Sequence, residues 1–158
     1  MLLLSCSITV TSQEVNVDER LKPHLNSFFA ICNTYNIEYN YKLNELKNIT
    51  IVDTLASSSK TATLGMLERD KSTKVENILV NWITMLDQQI LKIVAFHEFG
   101  HYFLEYDQHT CEDCGNIMSV TNSSYFDIAN DWENQVKILF EQSPAYLKKQ
   151  NQLVSRIP

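Results

Sequence analysis

The sequence predicts an α+β domain in which helices pack against a small sheet. A segment with the apolar spacing of a helix comes first, over residues 20–36. Short segments typical of strands follow between residues 37 and 82. A strongly apolar helical segment over 84–103 and an amphipathic one over 125–141 complete the chain. Because helices and strands are grouped rather than alternating, we expect two packed layers.

The first helix is expected from Arg20 to Asn36, with Pro23 in its first turn. Polar turn residues separate the strand segments that follow. The predicted strands are 37–41, 49–55, 61–68 and 75–82. One of the last two strands is expected to form the edge of the sheet.

The second helix begins, by prediction, at Thr84, because Thr84 and Asp87 match a capping box. It is apolar on most of its sides, so we expect it to be buried against the sheet. The last helix is expected to end before Pro144. Trp82 and Trp132 are both expected in the core.

Composition narrows the classes of function. The chain has 158 residues, of which 44% are hydrophobic, which suits one domain with a single core. A net charge of -6 and a pI of about 5.1 argue against a nucleic-acid partner, which needs a basic surface. The sequence contains no apolar run long enough for a transmembrane helix. We expect a monomer.

The N-terminus resembles the end of a bacterial lipoprotein signal, since Leu3-Leu4-Ser5 precede Cys6. A lipid on Cys6 would anchor the protein to a membrane outside the cytoplasm. We therefore divide the chain into a leader or tether over 1–18 and one domain over 19–158. If Cys6 carries no lipid, the alternative is a cytoplasmic protein.

The segment that indicates chemistry is His97-Glu98-Phe99-Gly100-His101 in the apolar helix. Residues four apart lie on one face of a helix, so both imidazoles can bind one zinc ion. Glu98 can take a proton from a zinc-bound water, whose pKa the metal lowers to about 7. The motif thus predicts a zinc-dependent peptidase.

Two features of the same helix support this interpretation. Unpaired polar groups are costly to bury, yet two histidines and a glutamate interrupt an apolar helix. Gly100 costs about 1 kcal/mol relative to alanine in mid-helix. We therefore expect another group to approach the helix closely at Gly100.

The segment after the helix resembles the metzincin metallopeptidases, whose pattern is HExxHxxGxxH or HExxHxxGxxD. Counting along that pattern places Asp107 at the third-ligand position, as in snapalysin. Gly115-Asn116-Ile117-Met118-Ser119 resembles the Met-turn that lies beneath the zinc in that clan. The resemblance, strongest over residues 90–120, implies a zincin-like fold and a substrate peptide antiparallel to the edge strand.

The sequence departs from this pattern at Leu104, where metzincins have a glycine. The helix could then run further and present His109 as the third ligand, as in small bacterial lipoprotein peptidases with a leucine at this point. Spacing favours Asp107, and ligand chemistry favours His109. We prefer Asp107 and keep His109 as the alternative. Val120 stands where some metzincins have a tyrosine, so no hydrogen bond from such a residue is assumed.

Two further groups remain open. An acid on the last helix is the third ligand in gluzincins, which makes Asp131 or Glu133 an alternative. Cys111 and Cys114 suit a small disulfide if the protein is exported. Archaemetzincins also carry cysteines in this loop, so half of a second zinc site is the other interpretation.

The sequence therefore predicts a zinc metalloendopeptidase that acts on peptide or protein substrates. His97, His101 and Asp107 (alternatively His109) bind the metal, and Glu98 is catalytic. The alternatives are a zinc-binding lipoprotein of binding or immunity type without turnover and a gluzincin-type metallohydrolase.

Overall fold

A computed structural model describes residues 14–58, 61–121 and 125–155. Within these ranges the chain forms an open four-stranded mixed sheet and six α-helices. The α+β class predicted from the sequence is thereby confirmed.

The strands are β1 (Asn16–Val17), β2 (Asn48–Val52), β3 (Gly65–Arg69) and β4 (Val75–Asn81). The helices are α1 (Lys22–Thr34), α2 (Asn40–Leu43), α3 (Gln88–Phe103), α4 (Tyr125–Asn130), α5 (Trp132–Glu141) and α6 (Pro144–Val154). A short 3-10 helix, Trp82–Leu86, joins β4 to α3.

The order of strands across the sheet is β1-β2-β4-β3. The first three are parallel, whereas β3 runs antiparallel to β4. Of the two strands considered for the edge from the sequence, β3 is therefore the one that occupies it. Its outer side has no neighbouring strand among the described residues.

The core lies between the sheet and the helices α1 and α3, and it is rich in aromatic rings. Phe28 on α1 meets Phe96 and Phe99 on α3 edge to face, with ring centroids 5.3 and 5.4 Å apart. All three side chains are fully buried. Edge-to-face pairs add about 0.5–1.5 kcal/mol each to the gain from burial. This packing holds α3 in place along the sheet.

The predicted strand over residues 37–41 is not formed. The backbone turns at Asn36, where φ is 51°, and the amide of Ile37 donates a hydrogen bond to the carbonyl of Cys32. Ile37 then enters the core, and Tyr39 stacks on Phe29 with centroids 3.9 Å apart. Ile37 and Tyr39 thus pack at the end of α1, whereas Asn40 and Tyr41 belong to α2, so no strand forms here.

The predicted capping box at Thr84 and Asp87 is also wrong. Asp87 is itself the N-cap of α3, and its carboxylate accepts hydrogen bonds from the amides of Gln89 and Ile90. Thr84 lies in the preceding 3-10 helix, where its hydroxyl donates to the carbonyl of Asn81. Asp87, three residues after Thr84, therefore caps the helix in place of Thr84.

The remaining differences concern the C-terminal helices and one tryptophan. The predicted last helix is divided into α4 and α5, and Pro144 begins α6. Proline suits the first turn of a helix, so it both ends one helix and starts the next. Trp132 is partly buried against Phe96, but Trp82 is 46% exposed and does not belong to the core.

A ladder of polar side chains crosses the sheet on the face opposite α3. Asn16 donates to Asn48 at 3.2 Å, and Asn48 donates to Asn77 at 2.8 Å. Asn77 in turn donates to a carboxylate oxygen of Glu68 at 2.6 Å. The polar ladder, Asn16–Asn48–Asn77–Glu68, therefore includes one residue from each strand.

Of the predicted leader, residues 1–18, the structure describes only residues 14–18. Asn16 and Val17 pair with β2 as strand β1, whereas residues 1–13, including Cys6, lie outside the described residues. None of the described helices combines the length and apolar character needed to cross a membrane.

Candidate metal centre

Helix α3 brings two histidines to one point. His97 and His101 are one turn apart, and their Nε2 atoms are 3.1 Å from each other. The predicted pairing of these imidazoles on one helical face is therefore confirmed. Both rings are partly buried and face the cleft described below.

His109 reaches the same point from the loop after α3. Its Nε2 atom is 3.2 Å from that of His97 and 3.4 Å from that of His101. Three nitrogens that bind one zinc ion tetrahedrally at about 2.0–2.1 Å would be about 3.3 Å apart. The three histidines form a group whose atoms could hold a metal ion.

The hydrogen bonds of the Nδ1 atoms determine which ring nitrogens can bind a metal. The Nδ1 atoms of His97 and His101 each lie 2.6 Å from a backbone carbonyl, that of Ile117 and that of Tyr106 respectively. A carbonyl only accepts hydrogen bonds, so each Nδ1 carries the proton. Both Nε2 atoms then present lone pairs and cannot hydrogen-bond to each other. Such a pair favours a shared cation.

Burial keeps these imidazoles neutral. It lowers the pKa of His97 to about 4, and burial also lowers the pKa of His101. The nearby charge of Asp107 opposes the lowering at His101. Neutral imidazole is the form that binds a metal, so the site is prepared for one at neutral pH.

The structure brings His109, and not Asp107, together with the two helical histidines. Helix α3 ends at Phe103, so it does not extend as the alternative supposed. The chain instead reverses at Glu105, where φ is 65°, one residue after the position of the metzincin glycine. Tyr106 is then buried beneath the helix, and Asp107 is left exposed.

Gly100 permits close packing under α3, as its position in mid-helix predicts. A Cβ atom there would lie 2.9 Å from the sulfur of Met118 and 3.2 Å from a methyl carbon of Leu139. Met118 is buried directly below the helix turn that carries the histidines. The glycine therefore allows the segment 115–119 to approach the metal centre from below.

Backbone hydrogen bonds and a disulfide fix the loop between His109 and the segment 115–119. The amide of Thr110 donates to the carbonyl of Met118, and the amide of Val120 donates to the carbonyl of Cys111, both at 3.0 Å. A disulfide joins Cys111 to Cys114. Of the two interpretations of this pair, the structure therefore has the disulfide, in which neither Cys111 nor Cys114 is a thiol that could bind a second zinc.

Glu98 lies beside the three histidines and is only 5% exposed. One of its carboxylate oxygens is 4.0 Å from Nε2 of His97. Burial raises the pKa of Glu98 to about 8. A cation held by the histidines would favour the ionised form and offset this rise.

An open cleft of about 790 Å³ leads to these residues. The edge strand β3 forms one wall, and residues 119–121 with Tyr125 contribute to the lining. Apolar side chains flank the centre, including those of Leu64, Ile93 and Val94. The arrangement can accept an extended chain and place one of its carbonyls beside Glu98.

Sequence reasoning did not identify Gly65 and Tyr125, which also line this cleft. A glycine inside a strand indicates close approach by another group, and this signal was present at Gly65. The backbone carbonyls of Tyr106 and Ile117 leave no signal, because any residue supplies a carbonyl.

The acids considered as gluzincin-type ligands lie elsewhere. Asp131 and Glu133 are exposed at the start of α5. Neither belongs to the metal-binding group found among the described residues. Comparison of the chain with protein-family models, curated proteins and solved structures found no match.

Proposed function

We propose that this protein is a zinc-dependent endopeptidase with a zincin-like fold of the metzincin type. The observation that carries the proposal is the convergence of three imidazole Nε2 atoms beside a buried carboxylate at the base of an open cleft. Three neutral nitrogens leave one position of a tetrahedral site free, which is the arrangement of catalytic rather than structural zinc.

The donor set fits zinc. The separations of 3.1–3.4 Å between the Nε2 atoms agree with tetrahedral coordination. Carbonyl partners on Nδ1 orient a ligand imidazole and strengthen it, and both helical histidines have them. When bound, zinc would polarise the scissile carbonyl and lower the pKa of water at the free position.

Glu98 would then act as the proton carrier. Its carboxylate oxygen, 4.0 Å from Nε2 of His97, is close enough to the metal position to accept a proton from a water between them. The same group would pass the proton to the amide nitrogen that leaves. Its burial keeps competing water away, and the residue lines the cleft.

In this proposal His109 is the third ligand and Asp107 is not. The metzincin spacing is then longer by two residues after His101. Two features still support the resemblance to that clan. The chain reverses directly after α3, and Met118 packs beneath the histidines. A peptide substrate would lie along β3, whose outer side is free of other described strands.

A zinc-binding lipoprotein without turnover is the second candidate. A purely structural zinc site has no use for an acid buried beside it, so Glu98 favours the enzyme. The disulfide between Cys111 and Cys114 favours an oxidising compartment outside the cytoplasm, in keeping with either candidate. A lipid on Cys6 remains a prediction.

The test compares the wild-type protein with Glu98→Gln. We expect both to contain about one zinc per chain, because Glu98 is not a ligand. We expect Glu98→Gln to lose at least about 100-fold of the rate on an unstructured protein substrate, since the amide cannot accept the proton. Metal content is measured by elemental analysis and hydrolysis by mass spectrometry of the products.

The two candidates give different results. Zinc in both proteins with hydrolysis by neither supports the binding protein and contradicts the peptidase. Absence of zinc after purification and on titration contradicts both. A wild-type rate in Glu98→Gln contradicts the role of the carboxylate.

A further inference from the structure

Gly65, on the edge strand, is in direct contact with the carboxylate of Glu98. A Cβ atom at Gly65 would overlap the Oε1, Cγ and Cδ atoms of that side chain. We propose that Gly65 is a positioning residue, whose missing side chain creates the space in which the Glu98 carboxylate lies. The inference rests on the proposed function for its catalytic meaning, but its geometry can be tested separately.

The register of the sheet directs this contact. Gly65 pairs with Val80 on β4, and Leu67 pairs with Ile78. Val80 and Ile78 are fully buried under the helices, so Gly65 belongs to the face of the sheet that meets α3. Any other residue at this position would direct its side chain into the space that Glu98 occupies.

Little else fixes the Glu98 carboxylate. Within the described residues no hydrogen bond is made to it, and one of its oxygens lies 4.0 Å from Nε2 of His97. A side chain held by packing alone takes the rotamer that the surrounding atoms allow. The backbone of Gly65 is therefore the wall that keeps the carboxylate beside the histidines.

Addition of one carbon should move the carboxylate and leave the ligands in place. The three atoms nearest to a Cβ at Gly65 all belong to Glu98 and none belongs to a histidine, so the first group to be displaced is the carboxylate. A displacement of about 1 Å in a reacting group can cost about 100-fold in rate. We therefore expect an effect on the chemical step and not on metal binding.

The first experiment is a crystal structure of zinc-loaded Gly65→Ala beside that of the wild type. We expect the Glu98 carboxylate to be displaced by about 1 Å or more. We expect zinc affinity within about threefold of wild type, and kcat lower by about 10- to 100-fold with little change in KM. Thr50→Ala is the control, because Thr50, on β2, pairs with Leu79 on the face of the sheet opposite α3 and is not among the residues that line the cleft.

A double variant separates positioning from general damage to the strand. Glu98→Asp retracts the carboxylate by one methylene group and makes room for the Cβ atom. In this background Gly65→Ala should lower the residual rate by less than about threefold, because the two residues are coupled. Should Gly65→Ala alone fail to fold, recovery of folding in the double variant supports the contact, and failure of both overturns it.

An unmoved carboxylate in Gly65→Ala, or an equal loss of rate in the Glu98→Asp background, overturns the inference. Failure of the proposed function gives a different result. If the zinc-loaded wild type hydrolyses nothing, the peptidase proposal falls, while the crystal structures still decide whether Gly65 positions Glu98.

Discussion

The metal centre has a helical half and a loop half, and they differ in how firmly the sequence determines them. His97, Glu98 and His101 lie on α3, where the helical repeat alone sets their relative positions. His109 comes from the irregular segment between α3 and Met118. Its position depends on one backbone turn and a few loop hydrogen bonds. Periodicity determines the first half, and specific contacts determine the second.

The two halves also differ in burial. The helical turn that carries the ligands is surrounded by core residues such as Phe96 and Phe99. His109 and the residues on either side of it are exposed. We therefore expect substitution of His109 to lower metal affinity with little change in global stability, whereas substitution of a ligand on α3 would change both.

The largest effect is expected for the loop ligand itself. His109→Ala should weaken zinc binding by well over the 10- to 100-fold seen for groups that only support ligands. Asp107→Ala, two residues away and exposed, should change affinity by only a few-fold. Competition with a chromophoric chelator measures both constants.

The matched pair decides between the two ligand assignments. Normal zinc binding by His109→Ala, with loss in Asp107→Ala, would restore the metzincin spacing and contradict the loop geometry described above. Unfolding of both variants is followed in urea without zinc, where neither should differ much from wild type.

A smaller effect is expected from removal of the disulfide between Cys111 and Cys114. Cys111→Ser with Cys114→Ser should lower stability by about 2 kcal/mol, because the disulfide restricts the unfolded chain. Zinc affinity should fall by about tenfold, since His109 lies two residues before the bridge. Wild-type protein reduced with a phosphine, which is removed before zinc is added, should give the same values. Unchanged affinity in both would show that backbone hydrogen bonds alone position His109.

The smallest effect concerns the junction between the two halves. Glu105 has a left-handed backbone conformation, which costs a residue with a Cβ about 1 kcal/mol or more. Glu105→Gly should therefore be more stable than Glu105→Ala by about 1 kcal/mol in urea unfolding. Both variants lose the ion pairs with Lys42 and Lys148, so their difference isolates the backbone. Equal stabilities would contradict this account of the turn.

Much of the fold could be predicted because its signals are local. The apolar repeats of α1 and α3 and the strand segments around β2 and β4 correspond to observed elements. Residues 37–41 could not be predicted, because Ile37 and Tyr39 owe their positions to tertiary packing, Tyr39 by stacking on Phe29 of α1. Trp82 is predicted in the core, but it begins a 3-10 helix and is exposed.

The candidate site divides in the same way. The spacing of His97 and His101 was sufficient to predict that their imidazoles meet. The choice between Asp107 and His109 depended on where the chain reverses, and no glycine marks that point. Glu105 takes the left-handed conformation although it is not a glycine. The turn therefore lies one residue after the glycine position of the metzincin pattern, and His109 lies two residues after its third-ligand position.

The polar ladder on the far face of the sheet has a consequence for Glu98. If β3 shifted by one residue along β4, Met66 would replace Gly65 on the inner face. Its thioether chain would press on the Glu98 carboxylate, and the same shift would turn the charged Glu68 toward apolar neighbours. The side-chain amides of the polar ladder do not touch the metal centre. They nevertheless stabilise the register of β3 on β4 in which the Glu98 carboxylate has room.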